Sequence, residues 1–261
     1  MHDSPFDAVA ATYDEEFTNS IIGRLQRARV WKFLKQDLRG EKKLRILEIN
    51  CGTGIDAAWL VSQGHHVLAT DVSEGMISKA KELHGSTAVC FEVCAIENIE
   101  SKYGNDRFDV VFSNFGGLNC LSPEALKRLN DQVFALLEPN GRFIAVFLAK
   151  KPLMELLYFR LKGMKSQASR RQIGFAEVSI SNGVSVPTWY YNAKEIKSFF
   201  KLFRVNKIRP VGLFVPPSYL ARWVDKHSLL VRLLFGMELV FGGGSSFGDF
   251  GDHIYLSFSK A

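Results

Sequence analysis

Ile46-Leu47-Glu48-Ile49-Asn50-Cys51-Gly52-Thr53-Gly54 is a short apolar run that breaks into small turn-forming residues, and residues 56–63 then return to helical spacing before Gly64. The order is strand, glycine loop, helix. Glycines at such a junction let backbone amides approach a ligand closely at a helix N-terminus. Open α/β sheets bind ligands outside the carboxyl ends of their strands, so this stretch predicts a nucleotide-like ligand there. The dinucleotide fingerprint G-x-G-x-x-G, with Gly52 as its middle glycine, would need glycine at position 50 and glycine or alanine at position 55. Asn50 and Ile55 stand there instead.

The same alternation continues outward from the loop. Residues 67–71, 88–93, 108–114 and 142–148 are strand-like, and residues 73–83 and 123–137 are helical in spacing. Repeated βα units imply a parallel sheet, because parallel neighbours need a crossover and helices must then cover both faces. The fold class is therefore α/β, Rossmann-like and doubly wound. Before the loop, Ile21, Leu25, Ala28, Trp31, Leu34 and Leu38 recur at helical spacing up to Gly40, which makes residues 1–40 an N-terminal helical extension and residues 41–150 the ligand-binding core of a single domain. Beyond Lys150 the rhythm breaks. A basic helix over 152–162 leads to strand-like alternation around Asn182-Gly183, a helix over 193–202 and a strand over 204–211 restore the pattern, and an apolar segment runs from Pro216-Pro217 to Phe241 before a last strand over 253–259. Residues 151–191 and 214–248 are thus expected to be insertions that cap a substrate site.

Composition narrows the function classes. The apolar share of 47% and charged share of 23% are those of a globular chain, so neither disorder nor a fibre is predicted. Residues 1–10 carry Asp3 and Asp7 and have no basic stretch followed by an apolar core, so no secretory signal is expected and the protein is placed in the cytoplasm. The most hydrophobic stretch, 229–241, is interrupted by Arg232 and Glu238, and no transmembrane helix is predicted. Cys51, Cys90, Cys94 and Cys120 form no CxxC pair and have no nearby histidine set, which predicts reduced thiols and no metal site, with Cys90 and Cys94 as two buried thiols. The net charge of +6 is uneven, since residues 150–232 hold sixteen Lys/Arg against four Asp/Glu. Such a segment is either a solvated basic face or an attraction for an acidic substrate, a carrier protein, a membrane surface or nucleic acid.

Residues 46–54 resemble motif I of class I S-adenosylmethionine-dependent methyltransferases, written E/D-x-G-x-G-x-G, with Glu48, Gly52 and Gly54 in register and Asn50 departing at the first glycine. Further stretches strengthen the resemblance over residues 6–148 and again at the final strand. Asp71, closing Val67-Leu68-Ala69-Thr70-Asp71, matches the acidic residue that accepts hydrogen bonds from both ribose hydroxyls, a task suited to an acceptor-only carboxylate. Cys94-Ala95-Ile96-Glu97 matches the segment flanking the adenine, and the strand ending in Ser113-Asn114-Phe115 matches the place where cofactor and acceptor meet. Leu136-Leu137-Glu138-Pro139-Asn140-Gly141-Arg142-Phe143 is similar to the helix-to-strand turn before the fifth strand. Phe6-Asp7-Ala8-Val9-Ala10-Ala11-Thr12-Tyr13-Asp14 is similar to the F-D-x-x-A-x-x-Y-D segment whose tyrosine closes over the methionine part of the cofactor.

The resemblance implies a mostly parallel seven-stranded sheet with an antiparallel final strand. It also implies S-adenosyl-L-methionine as cofactor and S-adenosyl-L-homocysteine as product. The implied cofactor-binding residues are Tyr13, Glu48, Asn50, Cys51, Gly52, Thr53, Gly54, Asp71, Val72, Met76, Ala95, Ile96, Asn114 and Phe115, with Glu48 facing the cationic amino end. His253, beside Asp252, and His227 are the base candidates. Tyr191, Phe214, Tyr219 and Trp223 belong to an aromatic set that either lines the acceptor site or forms the core of the insertions. The expected partner is a small hydrophobic or aromatic acceptor, with acidic, lipid-like or carrier-tethered molecules and peripheral membrane contact left open. Ser113-Asn114-Phe115-Gly116 is not the N-P-P-Y/F motif of many base-methylating enzymes, so no nucleic-acid partner is expected. A nucleic-acid methyltransferase, a non-catalytic cofactor-binding scaffold or activator subunit, and an NAD-dependent oxidoreductase are the competing readings.

Overall fold

Apolar residues occupy both faces of the central strands because helices cover both faces of the sheet. The computed structural model describes residues 4–41, 43–181, 183–217, 220, 224 and 228–260. The strands are β1 (Arg45–Ile49), β2 (His66–Asp71), β3 (Cys90–Val93), β4 (Phe108–Ser113), β5 (Leu137–Leu148), β6 (Phe175–Ser181), β7 (Val184–Trp189), β8 (Phe203–Val211) and β9 (His253–Lys260). The helices are α1 (Ile21–Asp37), α2 (Ile55–Ser62), α3 (Glu74–His84), α4 (Ile99–Tyr103), α5 (Pro123–Leu136), α6 (Leu153–Leu161), α7 (Lys165–Ser169), α8 (Ala193–Phe199) and α9 (Ser228–Phe241). Seven strands form one sheet in the order β3-β2-β1-β4-β5-β9-β8, in which only β9 is antiparallel to its neighbours, while β6 and β7 form a separate hairpin. The α/β doubly wound expectation holds, including its antiparallel final strand.

Leu47, Ile49, Val111, Phe143, Ala145 and Phe147 pack toward α4, α5 and α8, whereas Ile46, Val110, Phe112, Ile144 and Val146 pack toward α1, α2 and α3. This is the two-residue period of strands buried on both sides. Side-chain caps start the crossover helices: Ser73 accepts from the Met76 amide at α3, and Ser122, followed by Pro123, accepts from the Ala125 amide at α5. The predicted turn around residues 138–141 is instead a bulge inside β5. Phe108 pairs with Leu137 but Val110 pairs with Arg142, and Asn140 takes a left-handed φ of 66° to let the chain rejoin the ladder.

The expectation of two buried thiols is corrected for one of them. Cys94 is buried but Cys90 is exposed, because β3 is a short edge strand with only β2 beside it. The N-terminal segment is also not an appendage. Asp7 accepts from Ser73 Oγ at 2.6 Å and from the Gly75 amide at 2.8 Å, capping α3 from outside, and Asp14 accepts from Thr53 Oγ1 at 2.7 Å. Two acids of one segment thereby fasten it to the chain after β2 and to the loop after β1. Far from that loop, Asp37 at the end of α1 accepts from Tyr255 Oη at 2.7 Å and pairs with Lys207, which ties the helix to β8 and β9.

Candidate active site

The sheet order reverses between β1 and β4, and the crevice outside such a reversal is where doubly wound sheets bind ligands. A cavity of about 300 Å³ opens there, lined by Asn50, Cys51, Gly52 and Thr53 after β1, Asp71 and Val72 after β2, Ile96 after β3, and Asn114 and Phe115 after β4. The loop after β1 is left-handed at every second residue, with φ of 58° at Asn50, 53° at Gly52 and 80° at Gly54. That alternation explains the spacing of the motif. Asparagine is among the few non-glycine residues that tolerate this region, so Asn50 keeps the backbone that the first glycine would otherwise supply. Gly54 is fixed by packing as well, since a Cβ there would lie 2.5 Å from the Phe91 ring.

Asp71 ends β2 with its carboxylate buried against this loop. Its Oδ2 accepts from the Gly52 amide at 2.9 Å and its Oδ1 from the Ser73 amide at 3.0 Å, which leaves one acceptor position on each oxygen. Burial pushes the carboxyl up, and the amides of Ser73 and Gly52 oppose that rise. Beside it Val72 is 40% exposed, an apolar side chain presented to the cleft together with Met76 and Ile96. Glu48 lies behind the cleft wall at 1% exposure, and its Oε2 has no hydrogen-bond partner. Burial first, and then the nearby charge of Asp56, hold its carboxyl well above the usual range.

A second polar group was not legible in the sequence. Asp56, in the first turn of α2, accepts from Trp31 Nε1 at 2.6 Å and from Asn114 Nδ2 at 2.9 Å, and it pairs with Arg27. Arg27 and Asp56 both line the cavity. The Arg27 guanidinium lies 4.8 Å from the centroid of Phe115, and its Nε is buried without a partner. Phe115 itself is left-handed, with φ of 45°, a costly state for a bulky residue that the surrounding contacts impose. The helical spacing of residues 21–38 rests on apolar positions and gave no sign of Arg27 or of what it meets.

Tyr13, Asn50, Cys51, Gly52, Thr53, Asp71, Val72, Met76, Ile96, Asn114 and Phe115 come together around the cavity, whereas Glu48, Gly54 and Ala95 stand outside its lining. His253 is 6% exposed, 3.3 Å from Asp252 Oδ2 through Nδ1, and meets Phe115 edge-on at 5.2 Å, so the Phe115 ring stands between it and the cleft. Asp252 is half-buried yet held far below the usual carboxylate range, because Arg171 and His253 outweigh the effect of burial. Tyr191 is not at the cleft. It is packed between Phe147 and Phe199 and donates to the Leu121 carbonyl at 2.8 Å, so its aromatic ring serves the core. Phe214 contacts Phe241 and donates its amide to Glu238 at 3.0 Å, also away from the cleft. Tyr219, Trp223 and His227 lie outside the described residues.

A mostly parallel seven-stranded sheet with a reversed final strand, a left-handed glycine loop and an acid ending the second strand together define the class I methyltransferase architecture. Residues 46–141 match the family model described as a methyltransferase domain. A demethylmenaquinone methyltransferase of Clavibacter sepedonicus is 32% identical over 149 residues, 56% of this chain and 58% of that protein. A tRNA 5-carboxymethoxyuridine methyltransferase of Escherichia coli is 31% identical over 107 residues, 39% of this chain and 41% of that protein. The chain thus spans about half the length of the curated relatives it matches. In fold it is similar to a solved structure described as a putative S-adenosylmethionine dependent methyltransferase from Listeria monocytogenes, with a TM-score of 0.61, 18% identity, and 90% and 99% of the two chains covered. Residues 46–141 thus carry a methyltransferase domain, and the chain has the fold of solved S-adenosylmethionine-dependent methyltransferases.

The residues present fit that cofactor. Asp71 keeps free acceptor positions for a diol, and the Val72, Met76 and Ile96 side chains form an apolar slot for a flat ring, while the unpartnered Glu48 oxygen lies behind the cleft wall.

Proposed function

We propose that this chain transfers a methyl group from S-adenosylmethionine to a small hydrophobic or aromatic acceptor. The observation that carries the reading is the Asp71 carboxylate, fixed by two backbone amides at the mouth of the loop with an acceptor position still open on each oxygen. S-adenosylmethionine, when bound, supplies an electrophilic methyl group on a sulfonium. What remains for the protein is positioning: a displacement of this kind needs the acceptor lone pair in line and water excluded. Phe6, Tyr13, Phe115 and Leu121 supply apolar walls for that purpose, and the insertions 151–191 and 214–248 are assigned to cap the site. No histidine lines the cavity among the described residues, so an acceptor held there does not draw on an imidazole base. His253 can serve an acidic hydroxyl only where the acceptor reaches past Phe115. Calorimetric titration with S-adenosylmethionine, S-adenosylhomocysteine and NAD tests the reading, with binding of the first two and not the third expected; NAD binding alone would overturn it.

The pH dependence of that binding has a defined sign. Because burial raises the Glu48 carboxyl in the fold, its contribution to stability is fully present below the unfolded carboxylate pKa and is lost as pH rises through the folded one. A bound ammonium favours the ionised form, so binding below the raised pKa releases a proton, and affinity rises with pH until Glu48 is already ionised in the free protein. Titration of S-adenosylhomocysteine in buffers of different ionisation enthalpy should show that release for the native chain and its loss in Glu48→Gln. An unchanged proton count in Glu48→Gln would remove Glu48 from the cofactor site.

Tyr13 packs with Val9, Ala10 and Met76 and lies 5.2 Å from Phe17. Its ring is assigned to close the methionine end of the site. Tyr13→Ala is expected to weaken S-adenosylhomocysteine binding about tenfold while costing at most about 1 kcal/mol of stability at this partly exposed position. A loss of stability several times larger with unchanged affinity would make it a packing residue only.

The basic segment and the tRNA-modifying relative favour one second reading, a nucleic-acid acceptor. Methyl transfer from labelled cofactor to bulk tRNA but not to a quinol or phenol panel would select it.

A further inference from the structure

The molecule carries an outward apolar surface that the cofactor site does not use. On α6, Leu157 is 46% exposed and Leu161 87%, four apart on one face of the helix, and past the left-handed turn at Gly163 the chain exposes Met164 at 45% and Ile173 at 81%. Interleaved with them are the exposed Lys151, Arg160, Lys162 and Lys165. From residue 150 to residue 176 there is a single acid, Glu155, and it is 3% exposed, clasped by Arg170 at 3.1 Å and Arg171 at 2.7 Å. The segment therefore shows solvent apolar side chains and cations, with its one negative charge turned inward. α9 shows the same division of side chains: Leu229, Leu233, Gly236 and Val240 form an exposed stripe, while Glu238 is fully buried against Arg29 and accepts from the Gly212 and Phe214 amides. No helix among the described residues is long and apolar enough to cross a membrane.

We propose that the α6 to Ile173 surface, with the outer stripe of α9, docks on an anionic lipid bilayer. Charge complementarity selects this occupant. Cations flanking an apolar stripe match the headgroup and acyl boundary of anionic lipids, where lysine and arginine stems reach outward while leucines insert. A nucleic acid would use the cations but gain nothing from exposed Leu161 and Ile173, and a second copy of the same positive face would repel itself. The inner side of the segment meets the site region, because Arg171, which holds Glu155, also donates to Asp252 Oδ1 at 2.9 Å beside His253. The proposal stands independently of methyl transfer, since its test uses no turnover.

The test is co-sedimentation of the full chain with vesicles of phosphatidylcholine alone and of phosphatidylcholine containing phosphatidylglycerol, across a salt series. Partition is expected only to the anionic vesicles, falling with salt. The pair Lys162→Glu and Lys165→Glu should weaken it roughly tenfold or more, and the pair Leu161→Glu and Ile173→Glu should abolish it, with S-adenosylhomocysteine binding and far-ultraviolet circular dichroism unchanged in both as the check on folding. Equal partition to both vesicle types, no partition at low salt, or binding that survives the leucine and isoleucine changes would overturn the proposal. So would capture of a single-stranded oligonucleotide in preference to vesicles, or self-association that those same changes disrupt.

Discussion

Asp71→Ala is expected to lower the affinity for S-adenosylhomocysteine by about 100-fold or more, because charge-assisted hydrogen bonds contribute roughly 1.5–3 kcal/mol each and two ligand hydroxyls would lose their acceptor. The same change strips the Gly52 and Ser73 amides of their partner, so the loop after β1 loses an anchor at the moment the ligand loses one. Asp71→Asn separates these effects. It keeps an acceptor oxygen and the side-chain volume but loses the charge, and roughly tenfold weaker binding is expected. Calorimetric titration of both variants beside the native chain is the measurement. Unchanged affinity in Asp71→Ala would show that the cleft holds its ligand without this carboxylate and would take the ribose assignment with it.

Asp56→Ala carries the largest expected loss of stability. The Asp56 side chain is buried and answers three donors, Arg27, Trp31 Nε1 and Asn114 Nδ2, and its removal leaves a buried guanidinium without a counter-charge. Breaking one side of a buried pair costs about 3–5 kcal/mol, which a urea titration reads directly. The informative partner is the double substitution Asp56→Leu with Arg27→Met, which removes both charges. Much of the lost stability should return, since replacing both members of a buried pair by apolar groups is close to neutral, while the cleft loses the cation that lies against Phe115. A loss of less than about 1 kcal/mol in Asp56→Ala would mean that the network is solvated and is not a structural element.

Much of the site was legible because its residues are strand ends. Asp71 ends a strand of the parallel sheet and Asn50 and Asn114 each follow one, and the period of the pattern fixes where a strand stops. Once the sheet is inferred, those positions must gather at one edge. The reach of the Arg27, Trp31, Asp56 and Asn114 group was not legible, because it joins α1 to α2 and to the loop after β4 across up to 87 positions of sequence, and no local period encodes such a meeting. Tyr191 misled for the opposite reason. An aromatic residue in an insertion has the same appearance in a sequence whether it faces a ligand or the core, and here Phe147 and Phe199 enclose it.

Burial of apolar strands and the turn chemistry of small residues act locally, so the sequence by itself determined the doubly wound sheet, the ligand loop and the acid that faces it. Asn50 belongs to that set, since its left-handed backbone is a property of the residue type at that turn. The tertiary structure alone decided which charges are buried together, that Phe115 stands in front of His253, that Cys90 is exposed on an edge strand, and that α6 and α9 turn their apolar stripes outward. Electrostatic pairing and solvent exposure depend on neighbours brought together from distant parts of the chain, and only the folded arrangement supplies those neighbours.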